Sequence, residues 1–109
     1  LSEAAICGFV TGYSLKAGTS FVEIMFGDFT TLIFDQIIQH SSKFEKMFNG
    51  KVSCPIVVRT PMGGKRGYGP THSQSLEKFF YLINFFQLKN ANLHIQKLYD
   101  AKDFKAFGF

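Results

Sequence analysis

Apolar positions along this chain alternate between a helical period and short unbroken runs. From residue 2 to 17, small and apolar side chains recur at helical spacing (Ala5, Cys7, Phe9, Gly12, Leu15), which predicts a first helix capped by Ser2 and stopped by Gly18. Gly8 and Gly12 fall on one face of it and would let another element approach closely. Residues 20–26 then read as a strand ended by Gly27 and Asp28. Asp28 is placed to cap a long helix over residues 29–48, where Leu32, Ile33, Phe34, Ile37, Ile38, Phe44, Met47 and Phe48 recur every three to four positions. Asn49 and Gly50 end that helix. Residues 54–59 form a short β-branched run that fits a strand buried on both faces. A Gly/Pro-rich loop spans residues 60–70. Thr71 and Gln74 then stand at capping-box spacing ahead of a helix over residues 75–80. Beyond it, residues 85–88 read as a strand and residues 98–107 as a last helix.

Strand and helix in alternation predict an α/β fold, a parallel sheet flanked by helices, with right-handed crossovers. The loops at Gly27 and at residues 60–70 both follow strands, so both belong to the carboxyl edge of the sheet, where open α/β sheets take their ligands. Phe29, at one helix start, and His72, at the other, should therefore share a rim.

Composition narrows the class. In 109 residues, 46% are hydrophobic and 18% charged, so one packed domain is expected rather than disorder. Fourteen residues are Phe and none is Trp. So short a chain buries a limited fraction of its surface, which suggests that some Phe side chains rely on a neighbour. The net charge of +4 is spread along the chain. Its densest spot, Lys65 and Arg66 among glycines beside Tyr68, could by itself meet phosphate, nucleic acid or an acidic partner. Without a basic helix or repeated Arg-Gly pattern, nucleic-acid binding is not expected. Cys7 and Cys54 lie in apolar stretches and make no disulfide framework, which fits a reducing compartment. No run is apolar enough to span a bilayer, no secretory signal is visible, and the first residue is Leu.

Candidate chemistry is sparse. The glycines from Gly63 to Gly69 lie between a strand and a helix, but their spacing matches neither phosphate-loop pattern. His40, His72 and His94 lack metal-ligand spacing, so no metal site is expected. His72 stands at a helix start on the ligand edge, where the dipole favours its neutral ring. Glu3, in the first turn of a helix, has an ordinary reading as a dipole-complementing carboxylate. No nucleophile–base pair stands out. The residues alone lead to a ligand-binding α/β module.

Longer stretches carry more. The run from Ser2 to Gly8, then Val22 to Phe29, Asp35 to Lys43, Pro55 to Gly64 and Arg66 to Glu77 resemble, in register, the beta subunits of thiamine diphosphate-dependent 2-oxo acid dehydrogenases of the pyruvate and branched-chain type. The resemblance covers residues 1–80 of a single partial pyrimidine-binding domain, and residues 81–109 diverge from it. It implies that Glu3 bonds N1′ of the cofactor's aminopyrimidine and drives the 4′-imino tautomer that deprotonates the thiazolium C2. Such a carboxyl is expected to be partly buried, with its pKa raised against the pull of the helix dipole. Phe29 corresponds to the aromatic that packs on the aminopyrimidine, Met25 lies close to that ring, and His72 handles substrate or the arriving lipoyl group. The stretch at Ile56 resembles one that lends a carbonyl to a structural potassium ion. Implied partners are an alpha subunit in an alpha2beta2 heterotetramer, which holds the diphosphate and magnesium, and a lipoyl-bearing acyltransferase. The compartment implied is a bacterial cytoplasm or a mitochondrial matrix.

The departures matter too. The family's helix and strand before the position of Glu3, its Gly-Ile-Pro turn after Phe80 and its second domain have no counterpart here. A trace of similarity returns at Tyr99 to Lys102, out of step. The chain is accordingly read as a partial or decayed copy of such a subunit. Two alternatives accompany the enzymatic reading: a catalytically incompetent piece that serves only subunit interaction, and a transketolase-type enzyme sharing the cofactor and the activating Glu.

Overall fold

The computed structural model describes residues 1–80 and a strand at residues 94–98; the predicted strand at 85–88 and nearly all of the predicted helix at 98–107 lie outside the described residues. Helix α1 spans Glu3–Ala17. Ser2 precedes it in the left-handed region and makes no side-chain cap, so the expected cap is absent. Gly18 ends it as expected, at φ +88°, with its N–H on Ser14 O at 3.2 Å. Thr11 and Ser14 are buried in the helix because their hydroxyls find carbonyls one turn back, Cys7 O at 2.8 Å and Thr11 O at 2.9 Å.

Strands β1 (Ser20–Glu23), β2 (Ile56–Pro61) and β3 (His94–Leu98) form a parallel sheet in that order. Ser20 pairs with Ile56 and Glu23 with Arg59; Val57 pairs with His94 and Pro61 with Leu98. The predicted parallel α/β architecture is therefore the observed one. β1 is shorter than predicted: Ile24 N–H still reaches Arg59 O at 2.9 Å, and the chain leaves the ladder after it. Burial alternates along both β1 and β2. Val22, Ile24, Ile56 and Val58 face a core shared with Cys7, Ile33, Ile37 and Phe80, while Phe21 and Arg59 are exposed on the opposite face. The expectation that the second strand is buried on both faces thus fails among the described residues, since α1, the 27–47 helical segment and Phe80 all pack on one side.

The predicted single helix over residues 29–48 is a chain of three helical forms. It opens as a 3₁₀ helix at Gly27–Ile33, widens to a π segment at Gln36–Ser41 and resumes as helix α2 at Phe44–Met47. Hydroxyls account for the irregularity. Thr30 Oγ1 donates to Gly27 O at 2.6 Å and Thr31 Oγ1 to Asp28 O at 3.1 Å, which favours the tighter turn. Ser41 and Ser42 donate to Ile37 O and Ile38 O, where the segment loosens. Asn49 and Gly50 stop it with positive φ, and Gly50 N–H closes on Glu45 O at 2.7 Å. The helix expected from residue 75 is under way only at residues 77–80, and Pro70–His72 before it form a single 3₁₀ turn.

Candidate functional site

The direction of α1 decides where Glu3 stands. Near the helix's far end, Ser14 Oγ and Cys54 Sγ share a hydrogen bond at 2.9 Å, just before β2 begins. Counting back from Ser14 to Glu3 at 1.5 Å per residue gives about 16 Å. From Cys54 along β2, the same distance at about 3.3 Å per residue reaches Arg59, the partner of Ile24. With α1 running antiparallel to β2, Glu3 would stand toward the carboxyl-edge level of the sheet.

At that edge two loops are tied together. Gln74 donates its backbone N–H and its side-chain amide to Oδ1 of Asp28, at 3.3 and 2.8 Å. Gly63 N–H bonds Gln74 O at 3.3 Å, so Gln74 joins the turn after β1 to the loop after β2. Beneath them Met62 is wholly buried, and a β-carbon added at Gly27 would come within 2.1 Å of its Cγ. Only glycine fits there.

The tie sets the aromatic groups in contact. The ring of His72 stands nearly perpendicular to Phe29 (centroids 5.3 Å apart) and to Phe26 (5.2 Å). Thr71 Oγ1 and His72 Nδ1 share a hydrogen bond at 2.8 Å. Phe26 also meets Tyr68 at 5.1 Å, and the Arg66 guanidinium lies 5.8 Å from the centroids of both rings. The expectation that Phe29 and His72 share a rim is met directly. His72 is not at the first turn of a helix, as the sequence suggested, because the helix begins five residues later.

The remaining predicted residues are less enclosed. Met25 is 58% exposed at the exit of β1. The side chain of Glu3 is 16% exposed.

Sequence reasoning assigned Asp28 to a helix cap. The structure uses its carboxylate 46 residues away instead, and the partner, Gln74, is not the capping-box member it resembled. Phe26 and Tyr68 entered the sequence reading only as neighbours of other features, since ring contacts across two loops leave no local pattern. Elsewhere, an open apolar groove of about 250 Å³ between Thr30, Thr31, Phe34, Leu76, Phe79 and Phe80 has no ionisable side chain in its lining. Among the described residues no group of three or more potential metal ligands is found, and no helix is long and apolar enough to cross a membrane.

Comparison with known proteins identifies the family. The model of the transketolase pyrimidine-binding domain matches residues 1–105. A 3-methyl-2-oxobutanoate dehydrogenase subunit beta of Mycobacterium tuberculosis is 35% identical over 80 residues, 73% of this chain and 23% of that protein. The acetoin:2,6-dichlorophenolindophenol oxidoreductase subunit beta of Bacillus subtilis is 39% identical over 83 residues, 76% of this chain and 24% of that protein. A pyruvate dehydrogenase E1 component subunit beta of Leifsonia xyli is 36% identical over 80 residues, 73% of this chain and 24% of that protein. The chain spans about a quarter of the length of these curated relatives.

Proposed function

The chain belongs to the transketolase pyrimidine-binding domain family, and on that premise we propose that it forms the aminopyrimidine-holding half of a thiamine diphosphate site in the beta subunit of a 2-oxo acid dehydrogenase. The carrying observation is the carboxyl-edge cluster: the Phe29 ring in contact with His72, locked by Asp28 and Gln74, with Met25 and Glu3 at the same level of the fold.

These residues fit the chemistry of an aminopyrimidine. The flat, partly apolar ring suits an aromatic and a thioether, Phe29 and Met25. A ring nitrogen suits a carboxyl group that can share a proton, and Glu3 supplies one. When bound, the cofactor supplies a nucleophilic carbon that attacks the 2-oxo group and accepts the electrons left by carbon dioxide.

The chain's own residues do the following. Glu3 holds a proton at the ring nitrogen N1′. Phe29 and Met25 orient the ring and exclude water from its faces. His72, in T-shaped contact with Phe26 and Phe29, presents its Nε2 to the substrate or to the acyl group in transit to lipoyl. An alpha subunit completes the site by holding the diphosphate and magnesium in an alpha2beta2 assembly, and a lipoyl-bearing acyltransferase receives the acyl group. The setting is a bacterial cytoplasm or a mitochondrial matrix. The test is Glu3→Gln in the assembled enzyme. Turnover of the 2-oxo acid should collapse while assembly persists, and near-normal turnover would sink the assignment.

A second reading rests on a different observation. Phe9 and Phe21 are 75% and 73% exposed, on α1 and on the open face of the sheet. Such surfaces suit a chain that acts by packing against other subunits without catalysing anything alone. Calorimetry of the isolated chain with thiamine diphosphate and magnesium separates the two: tight binding would exclude the interaction-only reading.

A further inference from the structure

Thr71 has the spacing of a helix cap and caps nothing. The helix after it begins only at residue 77, and the 3₁₀ turn Pro70–His72 makes no side-chain cap. Its hydroxyl goes to the next residue instead: Thr71 Oγ1 and His72 Nδ1 share a hydrogen bond at 2.8 Å. The turn holds the two residues in that relation, with His72 N–H on Gly69 O at 3.4 Å. Phe26 and Phe29 meet the same imidazole, nearly perpendicular to it, at 5.2 and 5.3 Å. The phenyl rings fix the plane of the imidazole. The hydroxyl acts on one of its nitrogens.

A neutral imidazole has one bare nitrogen and one N–H, and the contact made at one nitrogen decides the state of the other. The bare nitrogen is far more basic than a hydroxyl oxygen, so in this pair the hydroxyl is the better donor and Nδ1 the better acceptor. We propose that Thr71 is a positioning residue for His72: its hydroxyl donates to Nδ1 and so makes Nε2 the N–H donor that His72 offers to an oxygen of the substrate. The proposal rests on the role of His72 proposed above and deepens it. With its proton on Nε2, His72 serves the substrate as a hydrogen-bond donor and not as a base. Attack on a 2-oxo group turns its oxygen into an oxyanion, and a donor to that oxygen binds more strongly in the transition state than in the ground state. Thr71 therefore acts, through His72, on the chemical step more than on substrate affinity.

The test starts with the 109-residue chain in solution, its histidine rings labelled with nitrogen-15 and followed by NMR at alkaline pH, where the rings are neutral. His72→Gln identifies the His72 signals. Nδ1 should resonate as a bare nitrogen and Nε2 as an N–H. Thr71→Val keeps the shape and removes the hydroxyl; it should shift the tautomer ratio toward the Nδ1–H form by about three- to tenfold, the weight of one ordinary hydrogen bond. Thr71→Ser should restore the ratio. The unsubstituted chain tests the tautomer without requiring any variant to fold. A proton on Nδ1, or an unchanged ratio in Thr71→Val, would overturn the proposal. In the enzyme assembled with an alpha-type partner, Thr71→Val should lower kcat by a similar factor with KM little changed, and Thr71→Ser should recover it; full kcat in Thr71→Val would also overturn the proposal. His72→Gln reports separately on the site. If it loses turnover while Thr71→Val keeps it, Thr71 alone has been misassigned, whereas full turnover in His72→Gln would remove the role on which the proposal rests.

Discussion

Gln74 places two N–H donors on one carboxylate oxygen of Asp28, across 46 residues of chain. This single contact closes the carboxyl edge. It fixes the loop that bears His72 against the turn that bears Phe29, and it converts two flexible connections into one wall. The other oxygen, Oδ2, is buried and has no partner among the described residues, so the carboxylate bears a cost on one side and a bond on the other.

That asymmetry gives a graded expectation. Asp28→Asn keeps Oδ1 as the acceptor for Gln74 and should change stability little. Asp28→Ala strands both Gln74 donors and should cost about 1–3 kcal/mol. Urea unfolding checks the order of the two variants. A double-mutant cycle with Gln74→Ala should show the two residues coupled; independent effects would mean that the hydrogen bonds carry no weight.

Gly27 should be equally sensitive for a steric reason. A β-carbon there would come within 2.1 Å of Cγ of Met62, which is wholly buried. Gly27→Ala is expected to destabilise by about 1–3 kcal/mol, as overpacking does. Adding Met62→Ala should recover part of that loss, since it removes the atoms in conflict. Thermal unfolding of the three variants decides it.

The cysteines should be silent near neutral pH. Burial pushes the Cys7 thiol up to about 11, and it also raises Cys54, against the opposing hydrogen bond from Ser14. In the unfolded chain Cys7 ionises near 9, so between pH 9 and about 11 the unfolded state releases a proton that the folded state keeps. Stability present below pH 9 should fall across that window. Alkylation by iodoacetamide at pH 8 should be slow in the folded chain and fast in urea. Rapid labelling of Cys7 in the folded chain would contradict its place in the core.

Much of this architecture is legible in the sequence, and the reasons are physical. Val22, Ile24, Ile56 and Val58 announce a parallel sheet because β-branched residues in short runs have few other uses. That the sheet's ligand edge gathers Phe29 and His72 follows from the order of strands and loops alone. The errors lie where a residue's local pattern admits two partners. Asp28 ahead of an apolar helix looks like a cap, and so does Thr71 three residues before Gln74. Both motifs are decided by a contact between them that no window along the chain contains. The helix over residues 29–48 carried the right period but the wrong pitch, because Thr30, Thr31, Ser41 and Ser42 return their hydroxyls to the backbone.

The central claim is that Glu3 serves the aminopyrimidine, and hydrogen–deuterium exchange at the thiazolium C2 measures that service without any substrate. With the chain assembled beside an alpha-type partner and thiamine diphosphate, exchange should be fast. Glu3→Gln should slow it by about a hundredfold or more, the scale of a lost acid–base contribution, with the assembly intact. Exchange at an unchanged rate in that variant would contradict the assignment of this domain's chemistry to Glu3.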